Sequence, residues 1–208
     1  TGLFAHSVRF TQVGEVMALI GAAVLMNGCT AIIGAATATL GANAPFWPAY
    51  MRWWVADGMG MLLVTPFIVT LVANAPEMLR TLPRQKFTEL VLFALVWCSM
   101  VIILFGLDYS EAISHFRLYL LLPLTLWAAL RFPPCITATA SVILAIVGVV
   151  FSNDSLGPFI LGEGGMKNPL ERIQIFIALV SMNALVLSVS MFERYQSGLK
   201  LSDSEYRW

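Results

Sequence analysis

Charge is what this chain has least of. Only 12% of its 208 residues are Asp, Glu, Lys or Arg, against about 25% in an ordinary soluble domain. The 12 basic and 12 acidic residues cancel to a net charge of zero, so no nucleic-acid partner is expected. Cysteine and histidine are also scarce. Cys29, Cys98 and Cys135 fall in or beside three different apolar runs with no short spacing between them, which excludes a disulfide framework or zinc knuckle; they read as small core residues. His6 and His115 fall on opposite sides of a membrane. Met59 and Met61 point about 200° apart on a helix, so haem and copper are not expected, nor any other cofactor.

Familiar catalytic patterns are missing as well. The chain has no Gly-x-Ser-x-Gly elbow and no His-Glu-x-x-His. Gly162-Glu163-Gly164-Gly165 follows no strand and precedes no Lys-Ser/Thr pair, so it reads as a flexible loop rather than a phosphate cradle. Asp57 is the one acid away from the ends of an apolar run, so the paired carboxylates of an intramembrane aspartyl protease are absent. The chain by itself is not expected to be an enzyme.

What is abundant is apolar sequence, 59% of the chain, gathered in runs that charges interrupt only briefly. That pattern makes an all-α, polytopic membrane helix bundle with the lipid bilayer as its solvent. Six spans are expected: Glu15 to Leu40, Met51 to Asn74, Phe87 to Leu107, Leu118 to Leu130, Cys135 to Phe151 and Ile173 to Phe192. The fourth and fifth are shorter than the ~20 residues of a usual crossing, and they meet at Arg131-Phe132-Pro133-Pro134, which no helix continues through. They read as a tight helical hairpin, with a re-entrant pair as the alternative.

Basic residues set the orientation. Arg9, Arg80, Arg84, Lys86, Arg131, Arg194, Lys200 and Arg207 fall on one side, and Arg52, Arg117, Lys167 and Arg172 on the other. The richer side is cytoplasmic by the positive-inside rule, so both termini are inside. Trp47, Trp53 and Trp54 then sit at the outer interface, where aromatic belts form. The chain opens without a methionine and closes on a polar segment, 193–208. It is expected to be a fragment, with 1–192 a membrane domain and 193–208 a cytoplasmic linker helix leading to a further domain.

The candidate functional residues are the polar groups among apolar ones. A charge at membrane depth costs about 2.5–3.5 kcal/mol, so Asp57 must face a bundle interior, a wet cavity or a partner. Either it is a buried acid that locks the bundle, or it contacts a ligand in an outward-opening pocket, about 9 Å below the outer end of its span. Trp53, Asp57 and Met61 share one stripe, Trp54 adjoins it, and Arg117 and Arg172 are candidate ion partners on the same side. Asn27, Asn183 and Gln174 are amides placed to hydrogen-bond between helices, each for about 0.6–2 kcal/mol. Gly14, Gly21 and Gly28, with Ala31 and Ala35, form a small-residue seam on the first span.

Trp53-Trp54-Val55-Ala56-Asp57-Gly58-Met59-Gly60 with Pro66 resembles the Trp-Trp-x-Gly-Asp-x-x-Gly signature of the bacterial membrane-associated sensor domain of the first type, in the MASE family. Ala56 stands where that family usually has Gly. Three further segments agree in order: Pro123 to Phe132, Leu156-Gly157-Pro158-Phe159, and Ile173-Gln174-Ile175-Phe176 running on to Glu193-Arg194.

The resemblance implies a sensory input module in the bacterial inner membrane. It would be coupled in cis to a histidine kinase, a diguanylate cyclase or a cyclic-di-GMP phosphodiesterase, often through a PAS domain, whose opening the segment 201–208 resembles. It also implies further helices before Thr1. Such outputs work as dimers, so a homodimer is expected. Its last helix would carry an unknown stimulus through Glu193 and Arg194. A fragment of a small-solute transporter, or a membrane scaffold recruiting a partner, are the other readings; no internal repeat supports the first.

Overall fold

The computed structural model describes residues 8–81, 83–106, 118–153 and 169–205. They form a helical bundle of six principal helices, with no strand among the described residues. Five are long and apolar enough to cross a bilayer. We number them α1 (Val13–Ala42), α2 (Phe46–Thr81), α3 (Arg84–Gly106), α4 (Leu121–Arg131), α5 (Pro134–Asn153) and α6 (Pro169–Glu205). A short 3₁₀ turn, Leu118–Leu120, leads into α4. The fourth expected span is the short member: α4 has 11 residues, about 16 Å of helix, whereas α5 has 20, enough for a crossing.

Local chemistry explains where helices stop. At the end of α1, Asn43 adopts a left-handed conformation with φ 51°, a position Asn tolerates better than most residues. Ala44 then donates its N–H back to Ala38 O at 3.3 Å, and Pro45 bars any return to the helix. At the α4–α5 corner, Phe132 is extended (φ −117°, ψ 159°), as the residue before a proline must usually be. Pro134 opens α5 at the first helical position, where its missing N–H leaves nothing unpaired.

Polar residues inside the spans are largely satisfied within their own helix. Thr30, Thr37, Thr39, Thr70, Thr125 and Thr139 each donate a hydroxyl to a carbonyl three or four residues back, at 2.6–2.9 Å. Such back-bonding lets threonine lie in an apolar span without an unpaired group. The same device accounts for Asn183, which is exposed and donates Nδ2 to Leu179 O of its own helix at 2.7 Å. It does not tie two helices together as its position in the sequence suggests.

The main core lies among α3, α4, α5 and α6, with Leu63 of α2 joining it. Phe93 is its aromatic hub, within 5.2–5.9 Å of the ring centres of Trp97, Trp127 and Phe132. The α5–α6 contact is close where small residues line it: a Cβ at Gly148 would lie 2.9 Å from Ile173 Cδ1 and 3.0 Å from Ile177 Cδ1, and Ser188 is buried. Thr137 donates its hydroxyl across the gap to Ser188 Oγ at 3.3 Å. Such small faces replace the missing hydrophobic drive between helices in lipid. Helix α6 packs against α1, α2, α4 and α5, and α5 packs against α2, α3, α4 and α6. Of the described cysteines, only Cys135 is buried; Cys29 and Cys98 face outward, since the buried faces of α1 (Ala23, Asn27, Ala31, Ala35) and α3 (Phe93, Trp97, Val101, Leu104) lie elsewhere on those helices.

Glycines test this packing. A Cβ at Gly34 would lie 2.8 Å from Trp53 Cδ2 and 3.0 Å from its Cγ, whereas one at Gly60 meets nothing within 4 Å. Gly34→Val should therefore lower the unfolding midpoint in detergent, by about 1–3 kcal/mol of overpacking. Gly60→Ala should leave it unchanged or raise it, by up to about 1 kcal/mol. A thermal melt followed by tryptophan fluorescence reads both.

Candidate functional site

Two polar arrangements tie α1 to its neighbours, one at mid-helix and the other at its N-terminal end. The first joins α1 to α2 and begins with an irregularity: residues Ala22–Met26 form one π turn inside α1. A π turn widens the hydrogen-bond spacing and disturbs the ordinary carbonyl ladder. Here the Asn27 N–H reaches back to both Ala22 O and Val24 O, and Trp54 Nε1 of α2 gives Val24 O a second donor at 3.1 Å. Asn27 answers in the other direction. Its side chain is buried, and Nδ2 donates to Trp54 O at 2.8 Å.

Each helix thus supplies one side-chain donor and one backbone acceptor to the other. Glycine lets the two helices approach at the seam, most closely at Gly58. A Cβ at Gly58 would lie 3.2 Å from Asn27 Nδ2, and one at Gly28 would lie 3.4 Å from both Trp54 Nε1 and Tyr50 Oη. Phe46, Tyr50 and Trp54, four residues apart, stack along α2 with ring centres 6.3 and 6.2 Å apart. The aromatic N-terminal end of α2 therefore lies on the small face of α1. That face includes Gly28, Ala31, Gly34 and Ala35, while Gly14 and Gly21 meet no neighbour; the seam is shorter than the sequence spacing suggests.

Asp57 is not part of it. It is exposed on the outer face of α2 and makes no hydrogen bond or ion pair with a described residue. The reason is angular: neighbouring side chains on a helix differ by about 100°, and Gly58 is the position that faces α1. Ala56 is exposed beside Asp57, and Gly60 is half-buried one turn along. Trp53 covers Gly34. Arg172 and Gln174 are half-buried near the start of α6, and Arg117 lies outside the described residues. The structure therefore joins Asn27 with Trp54 and separates both from Asp57 and Asn183.

The second arrangement closes the N-terminal end of α1. Glu193, on α6 as it leaves the bundle, accepts the Val13 N–H through Oε2 at 3.0 Å. That N–H is among the first of α1, which have no partner within the helix, and the helix terminus favours a negative charge. Glu15 accepts from the backbone N–H groups of Arg9 and Thr11 at 3.3 and 3.0 Å. This curls the preceding segment back, and Phe10, at φ 52°, is driven into an apolar cluster with Val16, Leu185 and Val189. Glu15 and Phe10 went unnoticed as functional residues, although an acid in the first turn of a helix is a readable capping signal. Arg194, next to Glu193, is exposed and points elsewhere, into a groove beside Lys86 and Arg131.

Removing the Asn27 amide or the Trp54 indole N–H should cost about 0.6–2 kcal/mol each. Asn27→Ala and Trp54→Phe together should cost measurably more or less than the sum of the two, because the two bonds hold one contact. Detergent unfolding of the four proteins of the cycle measures that coupling. Glu193→Ala should speed amide exchange over residues 9–16, and Glu193→Gln, which keeps an acceptor oxygen, should recover most of the protection; hydrogen-exchange mass spectrometry reads the difference.

The MASE1 family model matches residues 5–194, a stretch that contains both the seam and the Glu193 contact. No curated protein and no solved structure gives a significant match. The multi-pass apolar helices, the Trp53–Gly60 segment and the extent of that match agree: the chain belongs to the MASE1 family of membrane-associated sensor domains.

Proposed function

We propose that this chain is the input module of a bacterial inner-membrane signalling protein, and that α6 delivers its signal to a cytoplasmic output domain in cis. The observation that carries this reading is the course of α6. It packs against four of the other five helices and then continues without interruption to Glu205. Its 37 residues make about 55 Å of helix, well beyond a hydrocarbon core of about 30 Å. A rigid rod seated at the centre of a bundle reports any repacking around it at its far end.

The stimulus acts on packing rather than on bonds. A ligand shifts such an equilibrium only by its differential affinity for the two arrangements, so the element to look for is one with alternative contacts. The π turn of α1 and the Asn27–Trp54 pair supply it: the disturbed carbonyl ladder can be satisfied by the indole or within the helix. Glu193 couples α1 to α6, so a shift of α1 reaches the exit helix directly.

Catalysis belongs to the output domain, a histidine kinase or an enzyme of cyclic-di-GMP turnover joined in cis to this module, and the whole works as a homodimer in which the spacing of the two exit helices sets activity. The outward face of Asp57, with Ala56 and Gly60 as small neighbours, suits a second copy. A carboxylate at that depth needs a polar partner, and small residues admit a close helix.

Transmission through α6 makes output depend on helical phase. In fusions of the chain to a diguanylate cyclase, insertions of one to four residues after Gly198 rotate the output by about 100° each. Cellular cyclic-di-GMP should rise and fall with that rotation, and a seven-residue insertion should restore the parent level. Equal output across the whole series would rule out a helix-borne signal.

A further inference from the structure

We propose that the groove between the α4–α5 corner and α6 is a binding site for the phosphate headgroup of an anionic phospholipid. The groove has a volume of about 560 Å³ and lies at the end of the bundle where α4 stops and α5 begins. Three cations from three separate elements converge on it: Lys86 from the first turn of α3, Arg131 from the end of α4, and Arg194 from α6. No lining residue is acidic.

The nearest described carboxylates leave this charge largely uncancelled. Glu89 is bonded to Arg131 Nε, which fixes that guanidinium but offsets only one of the three charges. Glu193 is turned to the Val13 N–H. Lys86 and Arg194 form no ion pair with a described residue.

Beside these cations the wall is apolar. Leu130 and Met191 are exposed, and Phe192 is half-buried. A soluble anion would use the cations and leave that wall wet. A phospholipid uses both, with its phosphate among the cations and its upper acyl chain along Leu130, Met191 and Phe192. The level fits, because the ends of spanning helices meet lipid headgroups there, and basic pockets between helices on the cytoplasmic side recognise anionic heads.

A bound headgroup would bridge Arg194 of α6 to Lys86 and Arg131, restraining the exit helix on the side away from Glu193. That regulatory consequence rests on α6 being the output helix. Binding does not.

The test titrates the full chain, delipidated in a neutral detergent, with phosphatidylglycerol or phosphatidylcholine, and counts bound lipids by native mass spectrometry. Phosphatidylglycerol should bind in preference to phosphatidylcholine. Lys86→Ala and Arg194→Ala should each weaken it about fivefold, whereas Lys86→Arg should retain it. Arg84→Ala, which removes an exposed cation outside the groove, should have no effect. Equal binding of the two lipids would overturn the proposal. So would an equal loss in Arg84→Ala, which would mean general surface charge, or displacement of phosphatidylglycerol by inorganic phosphate at equal concentration, which would mean a soluble anion. Circular dichroism checks that each variant is folded. Lost lipid preference with intact helical-phase dependence would sink this site alone, and the reverse outcome would sink only the signalling route.

Discussion

In a bilayer a polar group must find its partner within the protein, because the solvent offers none. The rest of this structure depends on how that constraint is met. Most hydroxyls meet it locally, by bonding the turn behind them. The π turn in α1 adds a bond between helices, because Val24 O accepts the indole N–H of Trp54 as well as the Asn27 N–H of its own helix. Asn27 returns the bond. The result is a contact between two helices that is specified in register and rotation, where apolar packing alone would leave both loose.

That contact and the Glu193–Val13 bond bracket α1 from its two halves. One anchors it to α2 and the other to α6, so α1 links the aromatic N-terminal end of α2 to the C-terminal half of α6. The wider core among α3, α4, α5 and α6 is built differently, from a hub of aromatic rings and from small residues between α5 and α6. The α1–α2 pair is packed as closely as the α5–α6 pair, and its directional bonds add a fixed register to that packing.

Some of this was legible in the chain. The corner at Phe132-Pro133-Pro134 and the stop at Asn43 with Pro45 follow from backbone stereochemistry, which acts between neighbours and needs no tertiary information. Asn27 was recognisable as an interhelical donor because an amide in the middle of a span has few other uses. Asn183 had the same credentials and proved to bond its own helix. The difference lies in the facing helix: Trp54 O and a glycine stand opposite Asn27, and Asn183 faces outward.

Asp57 marks the boundary between the two kinds of knowledge. Sequence alone determined that the chain is a bundle of apolar helices, where those helices break, and that an acid stands among tryptophans and glycines in one of them. These are one-dimensional properties, set by composition and by local sterics. Only the tertiary structure decided that Gly58 turns toward α1 and Asp57 away from it, and that Glu193 reaches a helix terminus 180 residues earlier. A rotation of about 100° per residue separates the inside of a helix from its outside, and that rotation is set by the shape of the neighbouring helix.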